Sequence, residues 1–229
     1  MDVADRSQPA FLFDLDGTLI DSVYQHVIAW REALEQLGVS LAVWKLHRRI
    51  GMSGGLFVTA LLRELETDLD RETLERLPEI HAEAYARHYP SVRPLPGARE
   101  LLATLSGQGV PWAIATSGAR RSAGPALQLL GLPEETPMIT RDLVRYAKPD
   151  PDLFLTAAER IGVDIRDSIV VGDSVWDLLA ARRARALGIG LLSGGYGREE
   201  LISSGAYRVY DDPRDLLAHL DEVGVRRPL

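Results

Sequence analysis

Four short groups of residues carry functional groups that suit one reaction centre. Asp14 and Asp16 flank a single leucine directly after the apolar run at 10–13, and Gly17 and Thr18 follow them. Two carboxylates held so close repel each other unless something positive lies between them, so the pair asks for a cation. Gly17 lets the chain turn tightly there, and the Thr18 hydroxyl can satisfy an exposed backbone group. Thr116, Ser117 and Gly118 combine hydroxyls with small residues whose amides can face an anion, a pattern that suits phosphate. Lys148, just ahead of a proline-started stretch, is one of only two lysines among 26 basic residues, Lys45 being the other. An ammonium there can neutralise both Asp14 and a bound phosphate. Asp173 and Asp177 stand four residues apart, which places both on one side of a starting helix. With Asp14 and Asp16 they make a donor set of oxygen alone, the chemistry of a hard cation, and Mg2+ is its natural occupant. Each group alone also has an ordinary structural reading: an acidic turn, a small-residue turn, a surface lysine, and acids favoured by a helix dipole.

These residues must be positioned by the elements around them. Residues 10–13 form an apolar run without alternation, the mark of a parallel strand buried on both faces. From 22 to about 89 apolar residues recur at three- and four-residue steps, with Gly38 and the loop 51–55 as interruptions. No strand is expected there. The segment 93–97, Arg-Pro-Leu-Pro-Gly, ends the helical part. Strands are then expected at 110–116, 138–140, 168–171, 188–192 and 207–210. The helices between and after them fall at 98–106, 120–130, 150–161, 175–186 and 213–223. This alternation predicts an α/β fold with a parallel sheet covered by helices on both faces, and ligands in such sheets bind beyond the carboxyl ends of the strands.

The strings DLDGTLIDS, TSG, KPDPDLF and GDSVWD resemble, in this order, the motifs of the haloacid dehalogenase-like hydrolases. The resemblance spans about residues 10–220. The lysine motif departs from the family only in Ala147, where glycine is common. The resemblance implies a Rossmann-like core at 1–20 and 94–229 and an α-helical cap at 21–93. It also implies a Mg2+-dependent phosphatase acting on a small phosphate ester, such as phosphoglycolate or a sugar phosphate. Asp14 would be the nucleophile, giving an aspartyl-phosphate, and Asp16 the general acid and base. Asp14, Asp16 through its backbone carbonyl, and Asp173 would hold the metal. Asp177 would orient Lys148 or metal-bound water. Lys148, Thr116, Ser117 and Gly118 would hold the phosphate. In the cap, Arg49 and Ser53 of the loop around 51–55 would read the leaving group. Their ordinary reading is that Ser53 caps a helix and Arg49 faces water. Asp16 argues against dehalogenating and phosphonate-cleaving members, which lack that second aspartate. A sugar-phosphate mutase of the β-phosphoglucomutase type shares all four motifs, but such mutases tend to have an arginine where Gly54 and Gly55 stand. A non-catalytic phospho-ligand sensor would be marked by loss of Asp14, Asp16 or Lys148, and all three are present.

The rest of the composition narrows the partners. A formal net charge of −7 disfavours non-specific binding to nucleic acid or an anionic membrane. Short basic pairs such as Arg182-Arg183 and Arg226-Arg227 read as solvated faces. Without cysteine there are no disulfides, thiolate nucleophiles or cysteine zinc sites. No signal pattern or membrane-length apolar run is seen, so a cytoplasmic location is expected; the expected assembly is a monomer or homodimer. The five histidines, His26, His47, His81, His88 and His219, show no ligand spacing and are expected to be surface or core residues.

Overall fold

The computed structural model describes residues 8–65 and 71–225, so the Arg226-Arg227 pair and residues 1–7 lie outside the described residues. The chain begins with β1 (Ala10–Phe13) and a two-residue β2 (Ile20–Asp21). Four helices follow: α1 (Val23–Gln36), α2 (Val43–His47), α3 (Gly54–Leu65) and α4 (Arg71–His88). After β3 (Arg93–Pro94) come α5 (Ala98–Gly107), β4 (Trp112–Ala115), α6 (Arg120–Ala123), α7 (Pro125–Leu130) and β5 (Met138–Ile139). The chain continues through α8 (Asp152–Arg160), β6 (Ser168–Gly172), α9 (Val175–Ala184) and β7 (Leu187–Leu191). It closes with α10 (Arg198–Ser204), β8 (Ala206–Tyr210) and α11 (Pro213–Ala218).

Six strands form one parallel sheet in the order β5-β4-β1-β6-β7-β8. The unbroken apolar run of β1 is explained by its central place, because successive side chains enter different cores. Phe11 and Phe13 pack on one face with Leu101, Leu105 and Leu127, whereas Leu12 points to the other with Leu153, Phe154 and Ala157. Each such buried leucine or phenylalanine stabilises the fold by roughly 1.5–3 kcal/mol. Because β1 lies between β4 and β6, the loops after all three strands meet at one edge of the sheet.

Helices α1 to α4 enclose a core of their own, in which Val27, Trp30, Leu34, Leu46, Phe57 and Leu77 are buried. The crossing points between this helical part and the sheet are paired: β2 and β3 form an antiparallel ribbon, Ile20 opposite Pro94 and Asp21 opposite Arg93. Periodicity misses this ribbon because two residues carry no pattern. Two expected helices are also shorter than their apolar spacing suggests. The one at 120–130 breaks at Gly124, since Pro125 has no N–H to donate and starts α7 instead. The last ends at Ala218, and Leu220–Val223 is a 3-10 turn.

Candidate active site

Asp14 leaves β1 at its carboxyl end, and its amide donates to the Val171 carbonyl (2.8 Å), extending the pairing with β6 by one residue. Its side chain is buried and forms an ion pair with the Lys148 ammonium. The same ammonium lies 2.7 Å from Asp177 Oδ1. Lys148 and Asp177 are both completely buried. Asp177 is fixed by the start of α9: Ser174 caps the helix, and its amide and hydroxyl donate to Asp177 Oδ2 at 3.1 and 2.5 Å. Asp173, also buried, accepts from the Thr18 hydroxyl at 3.0 Å. A Cβ on Gly17 would lie 2.6 Å from Asp173 Oδ2, and one on Gly194 would lie 1.7 Å from it. Both positions therefore require glycine beside the Asp173 carboxylate, and Gly17 has a φ of 83° besides.

One carboxylate oxygen each from Asp14, Asp173 and Asp177 gathers within 4.8 Å. Three carboxylates against one ammonium leave a formal excess of two negative charges in a buried place, so these residues fit a hard divalent cation. The Asp16 side chain does not join them. Its Oδ1 accepts from the Ser22 hydroxyl (2.6 Å) and faces His26 Nε2 at 3.2 Å.

These surroundings pull the two motif aspartates apart. Burial pushes the Asp14 carboxyl up to about 7, with Lys148 opposing and Asp177 and Asp16 adding to the rise. Burial, then Asp177 and Asp14, likewise raises Asp173 well above the carboxylate range. Burial also opposes ionisation of Asp16, but His26 and the Ser22 hydroxyl outweigh it and hold that carboxyl below its usual value. For Lys148 burial opposes the charge, and the attraction of Asp14 and Asp177 overcomes it and keeps the ammonium.

The Thr116–Gly118 turn closes on itself, the Gly118 amide donating to Thr116 Oγ1 at 2.9 Å. Ser117 does something unforeseen: its hydroxyl donates to the Gly51 carbonyl of the helical part (2.9 Å). All three residues, with Asp14 and Asp16, line a cavity of about 280 Å³. Arg49 also lines it, and its Nη1 donates to the Lys45 carbonyl (2.7 Å). Ser53 is buried instead. Its Oγ accepts from the Leu56 amide (3.3 Å), capping α3, while its own amide donates to the Lys148 carbonyl at 3.0 Å. The loop around 51–55 is thus hydrogen-bonded to two of the motif segments.

Two of the five histidines depart from the expectation. His26 and His81 both line the cavity, with His26 Nδ1 3.2 Å from His81 Nε2, and burial followed by the His26 charge keeps His81 well below its ordinary value. A weak signal for His26 existed, since it lies one turn beyond Ser22 and so must face back toward the motif loop; its amide bonds the Ser22 carbonyl at 3.0 Å. His81 had none, because only the packing of α4 on α1 brings it there.

With this geometry in place, comparison with known proteins decides the family. The model of the haloacid dehalogenase-like hydrolases matches residues 9–185. The chain belongs to that family. Among hydrolases of this kind, a phosphoglycolate phosphatase from Neisseria meningitidis is 35% identical over 210 residues, which cover 89% of this chain and 88% of the relative. The crystal structure of a hydrolase from Pseudomonas syringae superimposes with a TM-score of 0.93 at 53% identity, covering 95% of this chain and 100% of that one. A β-phosphoglucomutase from Clostridium difficile shares the fold, with a TM-score of 0.81 at 22% identity over 94% of this chain and 96% of that one. Among the described residues no helix is long and apolar enough to cross a membrane.

Proposed function

We propose that this phosphoric monoester hydrolase removes phosphate from a small phosphorylated metabolite of the phosphoglycolate or sugar phosphate class, through an aspartyl-phosphate on Asp14. The observation that carries the reading is the Asp14–Lys148–Asp177 arrangement: a carboxylate at the cavity floor held by a buried ammonium that is itself held from behind. Asp14 attacks phosphorus, the P–O bond to the alcohol breaks, and Asp16 delivers a proton to the leaving oxygen. In the second half Asp16 takes a proton from water as it attacks the aspartyl-phosphate, releasing inorganic phosphate and restoring Asp14. Lys148, Thr116 and the Ser117 and Gly118 amides hold the phosphate oxygens, so the catalysis is largely positioning and charge stabilisation.

Asp14, Asp173 and the Asp16 backbone carbonyl would hold Mg2+, which when bound supplies positive charge to the nucleophile and the phosphate oxygens. That charge matters for the protonation of the pair. The protein groups by themselves raise the proton affinity of Asp14 and lower that of Asp16, opposite in direction to what the first step needs. A cation beside Asp14 would work against this bias, and a phosphate ester entering next to Asp16 raises its proton affinity.

In this reading residues 21–93 act as a cap that hinges at the β2–β3 ribbon over a core of 1–20 and 94–229, and the protein works in the cytoplasm as a monomer or homodimer. The mutase alternative is not favoured, because Gly54 and Gly55 line the cavity where such an enzyme would place an arginine. Phosphate release from a panel of phosphorylated metabolites in Mg2+, with Asp14→Ala as the blank, tests the proposal. No release above the blank from any ester would overturn it.

A further inference from the structure

The cavity above Asp14 has two unlike walls. From the helical part come Trp30, Ile50, Met52, Phe57 and Pro78. Trp30 is sandwiched, its ring centroid 4.1 Å from that of Phe57 and 4.0 Å from that of His81, so this wall is rigid. From the core side comes Arg141, whose amide donates to the Gly118 carbonyl at 3.0 Å and ties it to the Thr116–Gly118 turn. One guanidinium nitrogen donates to the Val144 carbonyl (2.9 Å), and Arg141 has no ion-pair partner among the described residues. A guanidinium presents five N–H donors in a fixed fork that matches carboxylate or phosphate oxygens.

A volume of about 280 Å³ is near the lower end of ordinary small-molecule sites, about 300–1,000 Å³. A phosphate carrying only a two-carbon acid would leave Met52 and Pro78, the solvent-reached residues of that wall, wet, and apolar surface favours binding only when it is covered. Small-molecule sites combine apolar walls with a few placed polar groups, and one of those here is the Arg141 guanidinium on the core side. Resting on the phosphatase reading, we infer that the preferred ester is the phosphate of a ring-bearing acid. Its ring lies on Met52 and Pro78, in front of the buried Trp30–Phe57 stack, and a second anionic group, carboxylate or phosphate, binds Arg141. Arg141 is then a specificity-determining residue and takes no part in the chemistry on phosphorus.

Turnover of p-nitrophenyl phosphate in Mg2+, lost in Asp14→Asn, first tests the phosphatase reading by itself. Next, kcat/KM is compared for four esters. Phosphoglycolate has an anion without a ring, and α-glucosyl phosphate has a ring without a second anion. α-Glucuronosyl phosphate adds a carboxylate to that ring, and glucose bisphosphate adds a phosphate, so these two arms separate the sources of the charge. One of the last two should exceed both of the others by about tenfold or more. Arg141→Gln should remove that advantage, Arg141→Lys should keep part of it, and both should turn over p-nitrophenyl phosphate within about twofold of the wild type. Met52→Gln should weaken the ring-bearing esters and spare phosphoglycolate. The inference is overturned if phosphoglycolate is the best ester, if the second anion brings no gain, or if Arg141→Gln lowers all esters alike. In each of those cases turnover of p-nitrophenyl phosphate leaves the phosphatase reading standing. No turnover of any ester, p-nitrophenyl phosphate included, overturns that reading and this one together.

Discussion

The Ser117 hydroxyl donates a 2.9 Å hydrogen bond to the carbonyl of Gly51, joining the turn after β4 to the loop that precedes α3. That one contact spans the helical part and the sheet, and it gives Ser117 a use other than the phosphate contact its place in the sequence suggests. Ser117→Ala should lower kcat/KM for the preferred ester by roughly three- to tenfold, the worth of one neutral hydrogen bond of about 0.5–1.5 kcal/mol. Competitive inhibition by inorganic phosphate should stay within about twofold of wild type. A large rise in that inhibition constant would assign the hydroxyl to phosphate instead.

Asp14→Asn should abolish turnover, by roughly a thousandfold or more, while circular dichroism and the melting transition show an intact fold. The amide keeps the volume of the carboxyl, and Lys148 retains Asp177 as a partner. A variant with near-normal rate would exclude the covalent route.

Asp16→Asn should separate leaving groups. An alkoxide needs a proton to depart, an aryloxide much less, so single-turnover phosphorylation of the enzyme should slow far more with an alkyl ester than with an aryl one. His26→Ala, which removes the imidazole 3.2 Å from Asp16, should show the same leaving-group dependence in weaker form, about tenfold on the alkyl ester. Equal losses on both esters in the Asp16 variant would argue against its acid role.

Gly194→Ala should weaken Mg2+ activation by about tenfold or more, because the added methyl would lie 1.7 Å from Asp173 Oδ2 and must displace that carboxylate. The metal concentration at half-maximal activity is the measurement. An unchanged value would show that the Asp173 carboxylate is not a ligand.

Stability should depend on pH in a direction set by the buried acids. The folded protein raises Asp14 from 3.8 to about 7 and raises Asp173 in the same direction, so it binds these protons more tightly than the unfolded chain. Their contribution is therefore complete below about pH 4 and is lost as pH rises through about 7. In chelator, the melting temperature should fall by roughly 5 °C or more between about pH 5 and about pH 8, and saturating Mg2+ should shrink that fall by replacing the protons. Scanning calorimetry in both buffers checks it, and identical pH profiles would contradict a metal site at these carboxylates.

The chemistry of this protein is written in short local strings, and that is why so much of it is legible without a structure. Asp14 and Asp173 each follow the end of a strand, where the surrounding apolar pattern announces the turn, and Lys148 stands in the proline-marked turn ahead of α8. The unbroken apolar runs of β1 and β6 required a parallel sheet buried on both faces, and such a sheet gathers its strand ends at one edge. Pairings between distant segments lie beyond that reach, because no local pattern encodes which loop meets which. The sequence alone determined the acids, the lysine and the elements that carry them. Only the tertiary structure decided that Asp177 holds Lys148 from behind, that Asp16 turns to His26, and that Ser117 bonds the Gly51 carbonyl. It also decided that His81 and Arg141 face the same cavity as Asp14. The physical reason is the packing of α1 and α4 against each other and of the loop around 51–55 on the sheet edge, which side-chain volumes settle over separations that periodicity cannot span.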